Sequence, residues 1–474
     1  MRTRGRFGDA SRCLPPPYLL CLSLLMAMPA VALVAGVGLA GQAAPPAPPA
    51  RAAIAVIPFV GPAAGVPDGY AYAPAQAIRY ALHQMRGVRL VDSADIVASS
   101  GRLNLSLKEP LEDDALVRLA RDLQVRGVIG GSYAVDGDGV KIQARLVDTA
   151  GQGRVIRGEL IGGQASELLA ASARITKTAL QQFQVRLSEP DERRLEAAFA
   201  GGAPPLEAYA LYARAAWEQG LGTKDAHERA VGLFTKALEA DQNFAQARVA
   251  LGRSLYATNN RWKASGEFRK ALQLNPRLAE AHKLLGDMLV TSPRRLYDQA
   301  VQAYTAALEI WPDYAEARVG LGDARQAKGQ FDEAIEEYRK ALAVEPTNAR
   351  VHLGMGKIYY NEKQLYHEAV EAYQKAIALD PKLLDAHLSL GELYEEKGLY
   401  EEAVARYSHV LSVEPKHPGA TYGLALAYEK VDVKKAMEQW ERYIELATNL
   451  PSEKDWVDIA KKHLGKLQRG EKPN

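Results

Sequence analysis

The 474-residue chain has only two cysteines, Cys13 and Cys21, both in its first 43 residues. The rest of the chain therefore has no thiol, which excludes disulfide bracing, thiolate catalysis and cysteine–zinc sites from it. Charge of either sign is not in excess: 59 Lys and Arg face 57 Asp and Glu, a net +2. Arg2, Arg4, Arg6 and Arg12 against Asp9 place +3 in the first 43 residues and leave −1 for the remainder. A nucleic-acid binder, which needs a basic face, is not expected. Also missing are a Gly-x-Ser-x-Gly elbow, a His-Glu-x-x-His pair and a complete phosphate loop. "GMGK" at 354–357 and "GLGTK" at 220–224 are only fragments of such a loop.

Long hydrophobic runs are confined to one place. No charge occurs from Cys13 to Ala50, and residues 18–40 are mostly apolar. As a helix that run would span ~34 Å, enough for a ~30 Å hydrocarbon core. Pro29 interrupts it, and "GLAGQAAPP" offers a cleavage zone after Ala43, so residues 1–43 read as a signal peptide or a membrane anchor. In both cases the arginines stay inside and the body is exported, to the periplasm or cell envelope, with or without an inner-membrane anchor at 18–40. With only about a dozen residues ahead of the uncharged stretch, no cytoplasmic output domain is expected. Residues 44–51 are a Pro/Ala linker, a stiff extended tether.

The body begins with "AAIAVIPFV" (52–60), a continuous β-type run suited to burial on both faces of a sheet. A helix at 73–85, a strand at 88–93 and a helix at 113–124 follow, then strands in 125–135, 139–148 and 153–162, and a closing helix at 165–184. One α/β domain over 52–186 accounts for this order. In "GVIGGSYAVDGDG" (127–139), Asp136-Gly137-Asp138-Gly139 suits a tight hairpin turn, and Gly130 and Gly131 mark a bulge or a close approach of another backbone. Strand on both sides argues against a phosphate cradle, and a calcium loop lacks its ligands. The motifs "IAVIPF" (54–59), "RLVDSADI" (89–96) and "VRGVIGGSYAVDGDGVKIQARLVDTAGQG" (125–153) resemble the amino-terminal domain of the TolB-like family and its FlgO-like and curli-assembly-like relatives. The resemblance implies an N-terminal α/β sandwich.

A different texture follows. "ALQLNP", "ALEIWP", "ALAVEP", "AIALDP" and "VLSVEP" end at Pro276, Pro312, Pro346, Pro381 and Pro415, spaced by 36, 34, 35 and 34 residues. Gly252, Gly286, Gly322, Gly356 and Gly391 recur before a small residue (Ala264, Ala300, Ala334, Ala369, Ala403, Ala436), with an aromatic four later (Phe268, Tyr304, Tyr338, Tyr373, Tyr407, Trp440). Gly and Ala let paired helices approach, the aromatic fills the gap, and Pro ends the second helix. Gly329 and Gly398 suit left-handed turns between helices. The pattern is that of tetratricopeptide (TPR) repeats. Six are expected, at 245–278, 279–314, 315–348, 349–383, 384–417 and 418–450. A degenerate one at 205–244 keeps only its second half, and a linker helix at 187–204 precedes it. A capping helix at 451–469, opened by a Ser-x-x-Asp box, and a tail at 470–474 complete the chain. The expected fold is thus multidomain: an α/β sandwich, then an all-α, right-handed superhelical solenoid.

Nine histidines yield no ligand constellation. His282, His352 and His387 share one repeat position and read as packing residues; His409 and His417 read as neighbours around Pro415. Glu395-Glu396, Glu401-Glu402 and Asp332-Glu333 read as solvated acids near helix starts. No catalytic residue, metal or cofactor is expected. Resemblance to TPR arrays implies instead that first helices line a concave groove through their second, fifth, ninth and twelfth positions. Those positions give Arg253, Tyr256, Lys283, Asp287, Asp323, Gln326, Arg350, Lys357, Tyr360, Asp385, Glu392, Glu395 and Tyr422, turning acidic toward the C-terminal end. The matched Lys/Asn set that clamps a peptide carboxylate is absent. The expected function is a non-enzymatic scaffold of the bacterial envelope that binds a protein or peptide in this groove. A sensory subunit binding a ligand in the α/β domain is the alternative, and an enzyme the third reading.

Overall fold

The computed structural model describes residues 52–61, 68–83, 85, 87–136, 139–149, 154–163, 165–189, 191–193 and 204–471. The expected leader, the Pro/Ala linker and much of the linker helix at 187–204 lie outside the described residues. No helix among the described residues is long and apolar enough to cross a membrane.

The α/β unit holds β1 (Ala52–Val56), α1 (Ala73–His83), β2 (Val88–Leu90), α2 (Ser93–Arg102), α3 (Asp113–Asp122), β3 (Gly127–Asp136), β4 (Gly139–Asp148), β5 (Arg154–Gly163) and α4 (Ala165–Gln182). They form one sheet in the order β2-β1-β3-β4-β5, parallel around β1 and antiparallel from β3 onward. Side chains of β1 alternate between two cores. Ile54 and Val56 join α1 and α4 on one face, while Ala53, Ala55 and Ile57 join α2 and α3 on the other. Asp136 pairs with Gly139, so the hairpin connection is two residues long; Gly137 and Asp138 themselves lie outside the described residues. Among the described residues the register shifts between β4 and β5, where Gln143 to Arg145 faces the one-residue-longer step from Leu160 to Arg157, and not at Gly130 and Gly131, which pair evenly with β4. Those two glycines serve close approach: a Cβ at Gly131 would stand 2.1 Å from the Gln143 carbonyl and 2.6 Å from the Phe59 ring.

Seven helix pairs follow: α5 (Leu206–Gln219) with α6 (Lys224–Ala240), α7 (Ala245–Ala257) with α8 (Arg261–Leu274), α9 (Ala279–Val290) with α10 (Tyr297–Ile310), α11 (Ala315–Ala327) with α12 (Phe331–Val344), α13 (Ala349–Asn361) with α14 (Tyr366–Leu379), α15 (Leu384–Glu396) with α16 (Tyr400–Val413), and α17 (Pro418–Val431) with α18 (Val433–Ala447). The last helix is α19 (Lys454–Gln468). First helices of successive pairs touch one another, whereas second helices of successive pairs approach less closely. Tighter spacing of the first helices puts them on the inner, concave side of the array.

Packing explains the repeat signature. The aromatic of each second helix lies against the glycine of its own first helix, so close that a Cβ at Gly252, Gly286, Gly322, Gly356 or Gly391 would stand 2.5–2.8 Å from the ring. The next pair closes over the ring: a Cβ at Gly320 would meet Tyr304 at 2.4 Å, and one at Gly423 would meet Tyr407 at 2.5 Å. Each ring so enclosed is worth about 2–3 kcal/mol by burial. Gly329 and Gly398 adopt φ of 76° and 74° between paired helices, the left-handed conformation the sequence predicts there.

The histidine position has a polar task besides packing. His282 and His387 bond the carbonyls of Pro276 and Pro381 at 3.0 and 3.2 Å, as Arg248 and Arg318 do those of Gln242 and Pro312 at 2.8 and 2.6 Å. These groups satisfy carbonyls orphaned where the chain leaves a helix. His352 Nε2 is buried with the Pro346 carbonyl near but outside bonding geometry; burial, then Lys375, pushes its pKa down to about 4, and that carbonyl acts the other way. His409 stacks on His387, with centroids 4.1 Å apart, instead of pairing with His417, whose Nδ1 accepts from Ala420 N at the start of α17.

Four further features differ from the sequence reading. Residues 93–102 form a helix that was not expected, and residues 206–219 are a complete first helix where only a second half was read. The Ser452 box does not cap α19: Pro451–Glu453 is a 3-10 turn, and Glu453 accepts from Tyr443 Oη at 2.8 Å instead. The two segments of the body are also not separated. Helix α5 packs against α1 and the 3-10 turn at 68–71, and one continuous core runs from Ile54 in the sheet through Tyr212 and Phe234 to Ala281. Trp217 at the end of α5 enters the second core, with Arg79 over its ring at 5.8 Å.

Candidate functional site

The residues expected to line the groove all stand on first helices, α7 to α17, and the structure divides them into two groups. Toward the N-terminal end they are tied up within the protein. Arg253 forms an ion pair with Glu280 and bonds Gln219 Oε1 at 3.4 Å. His83, at the end of α1, lies in electrostatic range of Arg253 and Glu316, so the α/β unit borders this end of the inner face. Tyr256 Oη is 3.3 Å from Thr291 Oγ1, and its ring lies under Arg261. Lys283 pairs with Asp287 at 2.7 Å.

Under the middle of the face runs a device the sequence reading missed. The buried aromatic of a second helix sends its polar atom up to an acid of its own first helix. Tyr304 Oη donates to Asp287 at 2.8 Å, Tyr338 Oη to Asp323 at 2.5 Å beside Gln326 Oε1 at 3.0 Å, and Tyr407 Oη to Glu395 at 3.1 Å. Trp440 Nε1 does the same to Glu429 at 2.9 Å, where His463 Nδ1 also stands at 2.7 Å. The signal was available: a tyrosine at the aromatic position together with an acid at the ninth or twelfth. It marks these acids as anchored by the core as well as facing the groove.

Glu395 and Glu396 end α15 and do not start a helix, so the dipole argument for them fails. Tyr360 bridges to Glu396 of the next pair. Glu392 and Glu395 are half-buried. Burial pushes Glu392 up to about 7, opposed by Lys357 and reinforced by Asp385. Glu395 is also raised to about 7, by burial first, with Tyr407 opposing and Glu392 and Glu429 adding. Tyr422 is pushed up to about 12 by burial, Glu395 and Glu429. The inner face from α13 to α17 thus gathers Lys357, Tyr360, Glu392, Glu395 and Tyr422, whereas Arg350 and Asp385 are exposed on first turns.

A second concavity of ≈ 260 Å³ lies on the α/β unit between β3, β4 and the segment before α3. Its polar lining is Glu109, Glu112, Ser132, Gln143 and Arg145, with no histidine, lysine or cysteine to serve Ser132 as a base. Arg145 donates to the Leu111 carbonyl at 2.5 Å and pairs with Asp113, while its buried Nε has no partner. No cluster of three metal-ligating side chains occurs among the described residues.

Family models described as "TPR repeat" match residues 322–363 and 360–398, and models described as "Tetratricopeptide repeat" match 249–315, 294–342 and 388–451. No curated protein matches the chain. Similar solved structures include MamA, 28% identical over 34% of this chain and 91% of that one, with a TM-score of 0.31. Others are YrrB, described as a TPR protein with an unusual peptide-binding site (24% identity, 41% and 97% coverage, TM-score 0.34), and Pseudomonas aeruginosa pilF (22%, 44% and 94%, 0.40). Residues 249–451, with their alternating first and second helices, are tetratricopeptide repeats, the repeat of a family of interaction scaffolds.

Proposed function

We propose that the chain is a non-enzymatic protein-binding scaffold of the bacterial cell envelope, which takes a protein or peptide partner on the inner face of its repeat array. The observation that supports this most is the C-terminal half of that face, where tyrosines and charges of both signs gather on successive first helices. Tyrosine brings contact area with a polar tip, and mixed charge registers a partner. The leader supports export, and the α/β unit, with its motifs at 54–59, 89–96 and 125–153, supports a TolB-like N-terminal domain. Crosslinking capture from intact envelopes tests the reading. The double charge reversal Lys357→Glu with Glu392→Lys should abolish partner capture while the circular dichroism spectrum stays unchanged; undiminished capture refutes it.

A second reading, a ligand-sensing subunit, draws on the α/β cavity and the unpartnered Nε of Arg145. Because the α/β unit shares its core with α5 and α6, the full chain is the right sample. Thermal stabilisation by a small anion, lost in Arg145→Gln, would favour this reading.

A further inference from the structure

Three other buried or half-buried acids of the array have a cation close by: Glu218 has Arg229 at 2.8 Å, Glu267 has Lys270 at 2.8 Å, and Glu337 has Lys340 at 2.8 Å and Arg318 at 3.1 Å, while buried Glu429 has Trp440 Nε1 and His463 Nδ1. Glu392 and Glu395, one turn apart on α15, form no ion pair among the described residues. Lys357 is within electrostatic range of Glu392 but does not pair with it. The repeat geometry shows why the partner is missing. Arg253, at the ninth position of its repeat, pairs with Glu280 at the second position of the next. The same step from Glu392 reaches Gly419, which has no side chain.

A second, independent feature sits below them. Tyr373 is 0% exposed, and its hydroxyl has no hydrogen-bond partner; the Ser389 hydroxyl is near but outside bonding geometry. At the same repeat position Tyr304, Tyr338 and Tyr407 each donate to an inner-face acid. The first helix paired with Tyr373 offers Lys357 and Tyr360 there instead, and the hydroxyl lies within electrostatic range of Tyr360 and Glu392. A buried polar atom left unmade costs about 1–3 kcal/mol. Two carboxylates without a cation, above an oxygen without a partner, are the complement of a side chain that only donates.

We propose that this part of the inner face is a subsite for a basic side chain, an arginine or lysine of the partner's segment, seated between Glu392 and Glu395 with Tyr373 Oη accepting one of its N–H groups. The proposal rests on the reading of the inner face as the partner surface and adds the sign of the partner's charge. Raised carboxyl pKa values agree with it, since a seated cation is what would bring them down.

The test is fluorescence anisotropy of the full chain at pH 8 with two labelled octapeptides, one alternating Arg and Ser, the other Glu and Ser. Saturable binding of the Arg peptide, at least tenfold weaker in E392Q/E395Q, about threefold or more weaker in Y373F, and unchanged in E333Q on α12, supports the subsite. A urea midpoint for Y373F no lower than wild type separates lost binding from lost folding. Equal binding of the Arg peptide by E392Q/E395Q and by E333Q overturns the proposal. So does binding of the Glu peptide alone, or of neither peptide; in those cases envelope capture still decides the broader reading separately.

Discussion

Tyr338 and Tyr373 form a matched pair on which the role of the buried hydroxyls can be tested. They occupy the same repeat position, are 1% and 0% exposed, and pack so closely on Gly322 and Gly356 that a Cβ added there would stand 2.5 and 2.6 Å from their rings. Only their hydroxyls differ: Tyr338 donates to Asp323 at 2.5 Å, and Tyr373 donates to nothing. A hydrogen bond to a charged group is worth about 1.5–3 kcal/mol, and water at the exposed Asp323 recovers part of it, so Tyr338→Phe should cost about 1–2 kcal/mol. Tyr373→Phe removes a polar atom that was desolvated without compensation and should be neutral or stabilising by up to about 1 kcal/mol. A gap of about 2 kcal/mol is roughly thirtyfold in a local opening constant. Repeats interact with their neighbours, so native-state hydrogen exchange of residues 315–344 and 349–379 reads the effect where it arises. Urea midpoints at unchanged slope check it globally. Equal losses in the two variants would refute the reasoning, because they would mean that Tyr373 has a partner or that Tyr338 does not depend on one.

Three further outcomes are expected. Glu392 and Glu395, raised from 4.5 to about 7, hold protons in the folded chain that the unfolded chain releases. Their contribution to stability is full below pH 4.5 and is lost as pH rises through 7, by at most about 3 kcal/mol each and less for an interacting pair; a melting-temperature profile that E392Q/E395Q does not flatten would contradict this. Gly322→Ala, whose Cβ would stand 2.5 Å from Tyr338, should cost about 1–3 kcal/mol, while Gly266→Ala in α8, with open space around it, should stabilise by about 0.5–1 kcal/mol in thermal melts. Glu337→Gln strands Arg318, Arg325 and Lys340 around a buried neutral group and should cost about 3 kcal/mol in urea titration.

The array was legible because its constraints are local and repeated. Gly at one place, an aromatic sixteen to eighteen residues on and Pro after the second helix each answer to a contact within a single pair, so spacing alone reveals them. Helix α5 was hidden for the opposite reason: Ala208, Tyr209, Tyr212 and Trp217 are arranged to fit α1 and the α/β cores and do not follow the repeat pattern. The α2 helix carries two serines and a glycine in its last four residues, and its buried face includes Ser93, Ser99 and Ser100, so apolar periodicity could not show it. Glu395 looked solvated because its bond partner, Tyr407, is twelve residues away on another helix. The sign of a charge is written in sequence, but whether a counter-charge reaches it depends on which side chain the next pair presents.

The continuous core from Ile54 to Ala281 gives the solenoid a direction. A free-standing array of stacked pairs frays from both ends, but here the first pairs are welded to a sheet, while the last described pair is covered by the single helix α19. Unfolding should therefore travel as a one-way zipper, from residue 468 back toward the sheet. Glu392 and Glu395 stand one pair and the helix α19 from residue 468, so a partner bound there would act as a clasp, holding closed the part of the molecule that opens first.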